Sequence, residues 1–224
     1  MGVISLEKSQ HMYWLGRYIE RVFTTLQAYS IYFDRMIEEG EVLYQQFCTA
    51  LGIPDVYGSQ QIFFENYLFD SKDPFSVSSS LNRAFDNGVV LRDEISSESL
   101  SYIHLAMERL EAARDSRERL VDLQQVQDYL YAFWGSVDDC ADSELCRNLM
   151  KCGRYQERLD LYVRLHYAQP EVERTFCKLQ KRIEKAGMPY HADQISCVGN
   201  HIRTEESLEE NRQTILGCLA QLFV

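Results

Sequence analysis

Apolar residues recur along the first forty positions at spacings of three and four. Met12, Leu15, Ile19, Val22, Leu26, Tyr29, Phe33 and Met36 form one stripe, which predicts a long helix from about Ser5 to Glu39. Gly40 ends it or bends it, and Val42 to Leu51 reads as a shorter helix closed by Gly52-Ile53-Pro54. Gln60 to Phe69 is a short aromatic-rich helix. After the polar break Asp70-Ser71-Lys72-Asp73-Pro74, Asp73 is the expected N-cap, with Pro74 in the first turn. The next helix runs through Leu81, Ala84 and Phe85 toward Leu91 and Ile95. Gly88 inside it costs about 1 kcal/mol of propensity unless a neighbour must approach closely.

Further stripes follow at Leu100, Ile103, Met107 and Leu110, starting near Ser96 or Ser97, and at Leu123, Val126, Leu130, Phe133 and Val137. From Ser143 another stripe carries Leu145, Leu149, Cys152, Leu159 and Val163 to Pro170. Glu171 to Lys185 is a shorter helix stopped by Gly187-Met188-Pro189, and Thr204 is the expected cap of a last helix. Residues 190–201 carry no assignable pattern. The expectation is therefore an all-α fold: one domain over 1–224, of about seven to nine helices, long ones packed in a bundle, with a shorter C-terminal portion from about 170.

Composition narrows the function classes. The chain has 224 residues, enough for a core of its own, and 34 acidic against 23 basic residues give a formal charge of -11. That balance argues against nucleic acid or an anionic membrane as the main partner. No apolar run approaches the ~20 residues of a membrane span, and the opening residues turn polar too early for a secretion signal. A cytoplasmic location with seven reduced cysteines is expected. Neither Cys-x-x-Cys nor His-Glu-x-x-His occurs, nor does a phosphate-binding glycine loop, so no metal and no cofactor are expected.

One hexamer returns. Gly16-Arg17-Tyr18-Ile19-Glu20-Arg21 reappears as Gly153-Arg154-Tyr155-Gln156-Glu157-Arg158, with five of six positions identical and an offset of 137 from residue 16 to residue 153. On a helix the arginines flank the glutamate at one-turn spacing, and the glycine admits a close neighbour. Helical projection puts Arg17 and Arg21 nearly opposite the stripe through Ile19, facing solvent, a ligand or another helix. Two inward copies would make a polar seam whose arginines take a carboxylate or phosphate. The reading that spacing and composition favour over that site is a satisfied Arg-Glu network fixing helix register, with a docking surface as a third. A second polar group comprises Asn87, Arg92, Asp93, Glu94 and Glu98. Glu94 and Glu98, together with Glu20 and Glu157, raise a bundle metal centre, but the Glu-x-x-His elements of such centres are absent. Tyr13, Trp14 and Tyr18, like Tyr129, Tyr131, Phe133 and Trp134, read as packing residues.

These residues carry a resemblance. Tyr13-Trp14-Leu15-Gly16-Arg17-Tyr18-Ile19-Glu20-Arg21 resembles the opening of the bacterial alpha-E domain family, and Leu149 to Arg158 is similar to that family's second Gly-Arg-Tyr-x-Glu-Arg copy. Arg92-Asp93-Glu94-Ile95-Ser96-Ser97-Glu98 is similar to its central segment, with Asn87 at the preceding asparagine position; Phe85 and Val89 stand where further arginines are usual. The resemblance implies an all-helical companion of ATP-grasp and transglutaminase-like proteins, serving peptide ligation, modification or turnover. It implies a candidate seam of Gly16, Arg17, Tyr18, Glu20, Arg21, Asn87, Arg92, Glu98, Gly153, Arg154, Tyr155, Glu157 and Arg158. The expected role is a non-catalytic accessory or interaction component, alone or as a homo-oligomer. The alternative is an enzyme or substrate-binding subunit for an amino acid or short peptide. In that case Arg17, Arg21, Arg154 and Arg158 hold the substrate anion, and Glu20 or Glu157 moves a proton.

Overall fold

The structure is a computed structural model that describes residues 5–39, 41–141, 143–204 and 208–223. It is all-α, with eleven helices among the described residues: α1 Leu6–Glu39, α2 Glu41–Leu51, α3 Gln60–Asn66, α4 Val77–Val90, α5 Arg92–Ile95, α6 Ser97–Ala113, α7 Arg119–Cys140, α8 Glu144–Arg164, α9 Gln169–Ile183, α10 Ala192–Ile202 and α11 Leu208–Ala220. This exceeds the expected seven to nine. The helix expected to run on to Ile95 is interrupted at Leu91, which leaves the four-residue α5, and Ser96, with a positive φ of 74°, then turns the chain into α6 where a new helix was expected. The unassigned stretch 190–201 contains α10, preceded by a lone backbone bridge between Tyr190 and Phe223.

The 34-residue α1 is the spine. It packs along α8 on one side and α4 on another, with α7 and α2 touching it as well. Its stripe from Met12 to Tyr29 is wholly buried, as are Leu149, Cys152 and Leu159 of α8. Where α2 and α3 meet lies an aromatic cluster in which Phe63 stacks on Tyr67 at 4.9 Å and meets Tyr44, Phe47 and Tyr57 at 5.2 to 6.0 Å between ring centres. Gly88 faces α6: a Cβ there would stand 2.9 Å from Leu100 Cδ1, the close approach that its place inside a helix implies.

Two caps fall where the pattern puts them. Ser96 Oγ accepts from Ser99 N–H at the start of α6, and Ser143 Oγ accepts from Cys146 N–H at the start of α8. Asp73 does not cap α4. Its two carboxylate oxygens accept from Phe75 N–H at 2.9 Å and from the Tyr57 hydroxyl at 2.6 Å, so the helix begins three residues later, with Ser76 capping Ser79. The bend at Gly40 and the action of Thr204 on residues 205–207 lie outside the described residues.

The cysteines also need correction. Cys197 and Cys218 form a disulfide between α10 and α11, whose packing brings together residues 21 apart in sequence; local motif spacing cannot register such a pair. Cys48, Cys140, Cys146, Cys152 and Cys177 are free. No helix among the described residues is long and apolar enough to cross a membrane.

Candidate functional site: a reciprocal arginine–glutamate clasp

The two hexamers meet where α1 and α8 cross. Contact begins with the glycines. A Cβ placed on Gly16 would overlap the Met150 carbonyl oxygen and lie 3.1 Å from Arg154 N, while one on Gly153 would overlap the Tyr13 carbonyl oxygen and lie 3.1 Å from Arg17 N. Each glycine thus faces the backbone that precedes its opposite number, and the offset of 137 residues maps one contact onto the other. Any side chain at either position would hold the helices apart.

That proximity lets each glutamate reach across. Glu157 accepts from Arg17 Nε at 2.6 Å and from Arg21 Nε at 2.5 Å, one arginine on each carboxylate oxygen. Glu20 accepts from Arg154 Nε at 3.1 Å and from Arg158 Nε at 2.5 Å in the same way. Neither glutamate has measurable exposure. Carboxylates buried without such partners would cost several kcal/mol each, so the four arginines are what allow both acids to lie in the core. Projection from one helix put Arg17 and Arg21 opposite the apolar face. They are nonetheless drawn into the molecule, because α1 is covered on more than one side.

Burial alone would push the Glu157 carboxyl up, but Arg17 and Arg21 outweigh it and hold that group below the usual carboxylate range. Burial works against the Arg17 charge in turn, and Glu157 overcomes it, leaving its pKa raised. Four guanidinium groups against two carboxylates leave the clasp cationic inside a chain of charge -11.

The partners around the two halves differ. In the Glu20 half, Thr24 Oγ1 donates to Glu20 at 2.9 Å and the Arg154 guanidinium lies 4.4 Å from the Trp134 ring centre. In the Glu157 half, the residues at the positions equivalent to Phe23 and Gln27 are Asp160 and Arg164, an ion pair at 2.6 Å. A cavity of about 350 Å³ opens there, lined by Arg17, Arg21, Glu157, Asp160 and Arg164.

Tyr18 and Tyr155 stand aside from the crossing. Tyr18 stacks on Trp14 with Arg83 nearby, and Tyr155 lies under Lys178. Asn87, Arg92 and Glu98 do not join the seam. Asn87 Oδ1 pairs with His11 Nδ1 at 2.7 Å, Arg92 Nε donates to Ser97 Oγ at 2.8 Å, and Glu98 is exposed in the first turn of α6. Glu94 is paired instead with Lys8 at 2.7 Å. The central segment therefore seats the beginning of α1, because its side chains leave α4 to α6 on a different flank. Among the described residues no group of three or more His, Cys, Asp or Glu could hold a metal.

Several contributors were missed at the level of sequence. Gln156, the variable position of the second hexamer, is buried, accepts from the Tyr13 hydroxyl at 2.6 Å and donates to the Leu219 carbonyl at 2.8 Å, tying α11 to the crossing. The spacing Asp160-x-x-x-Arg164, one turn beyond the motif, was an available signal for the cavity. Thr25, Tyr67, Ser76 and Ser80, which also line it, had none.

Fold and site together define an all-helical domain closed on itself by two copies of a glutamate-arginine motif. The chain belongs to the Alpha-E family, described as a predicted alpha-helical domain with a conserved ER motif, whose model matches residues 9–189. No curated protein and no solved structure matches the chain.

Proposed function

We propose that this chain is a non-catalytic accessory or interaction component of a bacterial peptide-ligation or peptide-modification system, working beside an ATP-grasp or transglutaminase-like protein. The observation that carries the reading is the engagement of both motif glutamates: each is fully buried and held by two arginines of the opposite helix. Groups so placed hold two helices in register, and with both carboxylate oxygens of each acid engaged by arginine neither is free to take a proton. The buried thiols of Cys48, Cys146 and Cys152 are each pushed up to about 12 by their surroundings, chiefly burial, which keeps them poor nucleophiles. The identity of the partners rests on the family resemblance.

The test is co-expression of the tagged chain with an ATP-grasp and a transglutaminase-like protein from the same genome, followed by ATP-dependent amide formation assayed with and without it. Stoichiometric co-purification, with partner activity that depends on a chain inert by itself, is the expected result. Amide formation or hydrolysis by the isolated chain would overturn the proposal.

A further inference from the structure

The cavity beside the Glu157 half is built differently from the clasp that forms its wall. Three guanidiniums, those of Arg17, Arg21 and Arg164, face two carboxylates, Glu157 and Asp160, so its lining carries one uncompensated positive charge. Arg17 is fully occupied by Glu157 and the Tyr13 hydroxyl, and Arg164 grips both oxygens of Asp160. Arg21 is different. It gives Nε to Glu157, and among the described residues no hydrogen bond from its Nη1 or Nη2 is formed, although the side chain is about two-thirds buried. A partly desolvated guanidinium with a free edge is a ready carboxylate receptor.

The start of α4 also lines this space, yet its amides are already engaged. Val77 N–H donates to Tyr67 O, Ser78 N–H to Leu68 O and Ser79 N–H to Ser76 Oγ. No backbone cradle for a phosphate remains, and a single excess positive charge matches a monoanion better than a dianion. Hydroxyls of Thr25 and Ser80 and apolar Leu51, Ile53 and Phe75 complete the lining. A volume of about 350 Å³ lies at the small end of ligand pockets, suited to an amino acid or dipeptide.

We propose that this cavity binds a small carboxylate carrying one net negative charge, of amino-acid to dipeptide size, with its carboxylate on Arg21. The site stands independently of which partner the domain serves. Isothermal titration at neutral pH and matched ionic strength, with N-acetyl-L-alanine and L-glutamate as monoanions against L-glutamine and inorganic phosphate, tests it. Saturable binding of the two monoanions, at least about tenfold tighter than glutamine or phosphate, is expected. Arg21→Gln should weaken that binding by about tenfold or more. Because Arg21 also belongs to the clasp, Ala220→Trp provides the second variant. Ala220 is exposed at the rim and outside the ion network, so the indole should block entry and abolish binding with the unfolding midpoint unchanged. Absence of saturation by both monoanions, phosphate binding as tightly as they do, or binding that survives Ala220→Trp would each overturn the proposal.

Discussion

The two halves of the clasp begin from the same hexamer and end in different surroundings. Around Glu20, Thr24 adds a third hydrogen bond and Trp134 covers one arginine. Around Glu157, Leu161 stands where Thr24 has its counterpart, Asp160 and Arg164 replace the positions of Phe23 and Gln27, and a cavity opens. The ion pairs themselves are nearly superimposable in pattern. What a duplicated motif repeats is thus the helix crossing; whether a half is sealed or open is set by side chains one or two turns further along and, around Glu20, by Trp134 of α7.

The sharpest way to break the comparison is to remove each acid in turn. Glu20→Gln and Glu157→Gln each leave two arginines facing a neutral group, and losses of roughly 3–5 kcal/mol in urea unfolding are expected. Glu20→Gln should cost more, since water from the cavity can reach Arg17 and Arg21 but not Arg154 under its indole. Equal losses would mean that the cavity does not matter to the network.

Gly16→Ala and Gly153→Ala test the symmetry itself. Each places a methyl group into an opposing carbonyl, and a cost of about 3 kcal/mol is expected for both, read as matched falls in thermal midpoint. A large difference between them would show that one helix yields more easily than the other.

Acid titrates the open half. The Glu157 carboxyl is depressed in the folded chain, so its contribution to stability is present in full above the ordinary carboxylate value of 4.5 and is lost as pH falls through the lowered one. Unfolding free energy measured from neutral pH downward should therefore decline below that value. The decline should be shallower in Glu157→Gln, and a parallel profile would remove Glu157 from the acid response.

Smaller effects separate the surroundings. Trp134→Leu removes the ring beneath Arg154 and should cost about 2 kcal/mol by chemical denaturation, specific to the sealed half. Arg164→Ala breaks a partly exposed pair at the cavity edge and should change stability by no more than about 1 kcal/mol. A larger loss would make the Asp160–Arg164 pair part of the clasp.

Much of this architecture can be read from the chain. The Met12-to-Met36 stripe places α1 within a residue of its bounds, and Ser96 and Ser143 mark helix starts by their chemistry. The repeated hexamer points to a polar crossing, since glycine, acid and flanking bases share one turn. Other parts depend on tertiary placement. The break at Leu91 splits a helix that hydrophobic spacing alone would continue to Ile95, and Tyr57 competes for the cap at Asp73 from 16 residues away. The seating of Asn87 against His11 depends on which flank of α1 receives α4. The cavity is set by residues of α1, α2, α4, α8 and α11 together, and no local window contains them.

The distance in sequence between the two hexamers has a consequence for how the protein is made. The partners of Glu20 are synthesised 134 and 138 residues after it, which at ~5–20 residues per second takes roughly 7–28 s. Until α8 emerges, the motif of α1 is a hydrated run of charge beside an apolar stripe that α2, α4 and α7 cover only in part. The clasp closes late, after the intervening helices exist, as expected for a contact of such long range. The first long helix of the chain is therefore among the last to be locked, and its exposed stripe is what a nascent-chain chaperone would meet.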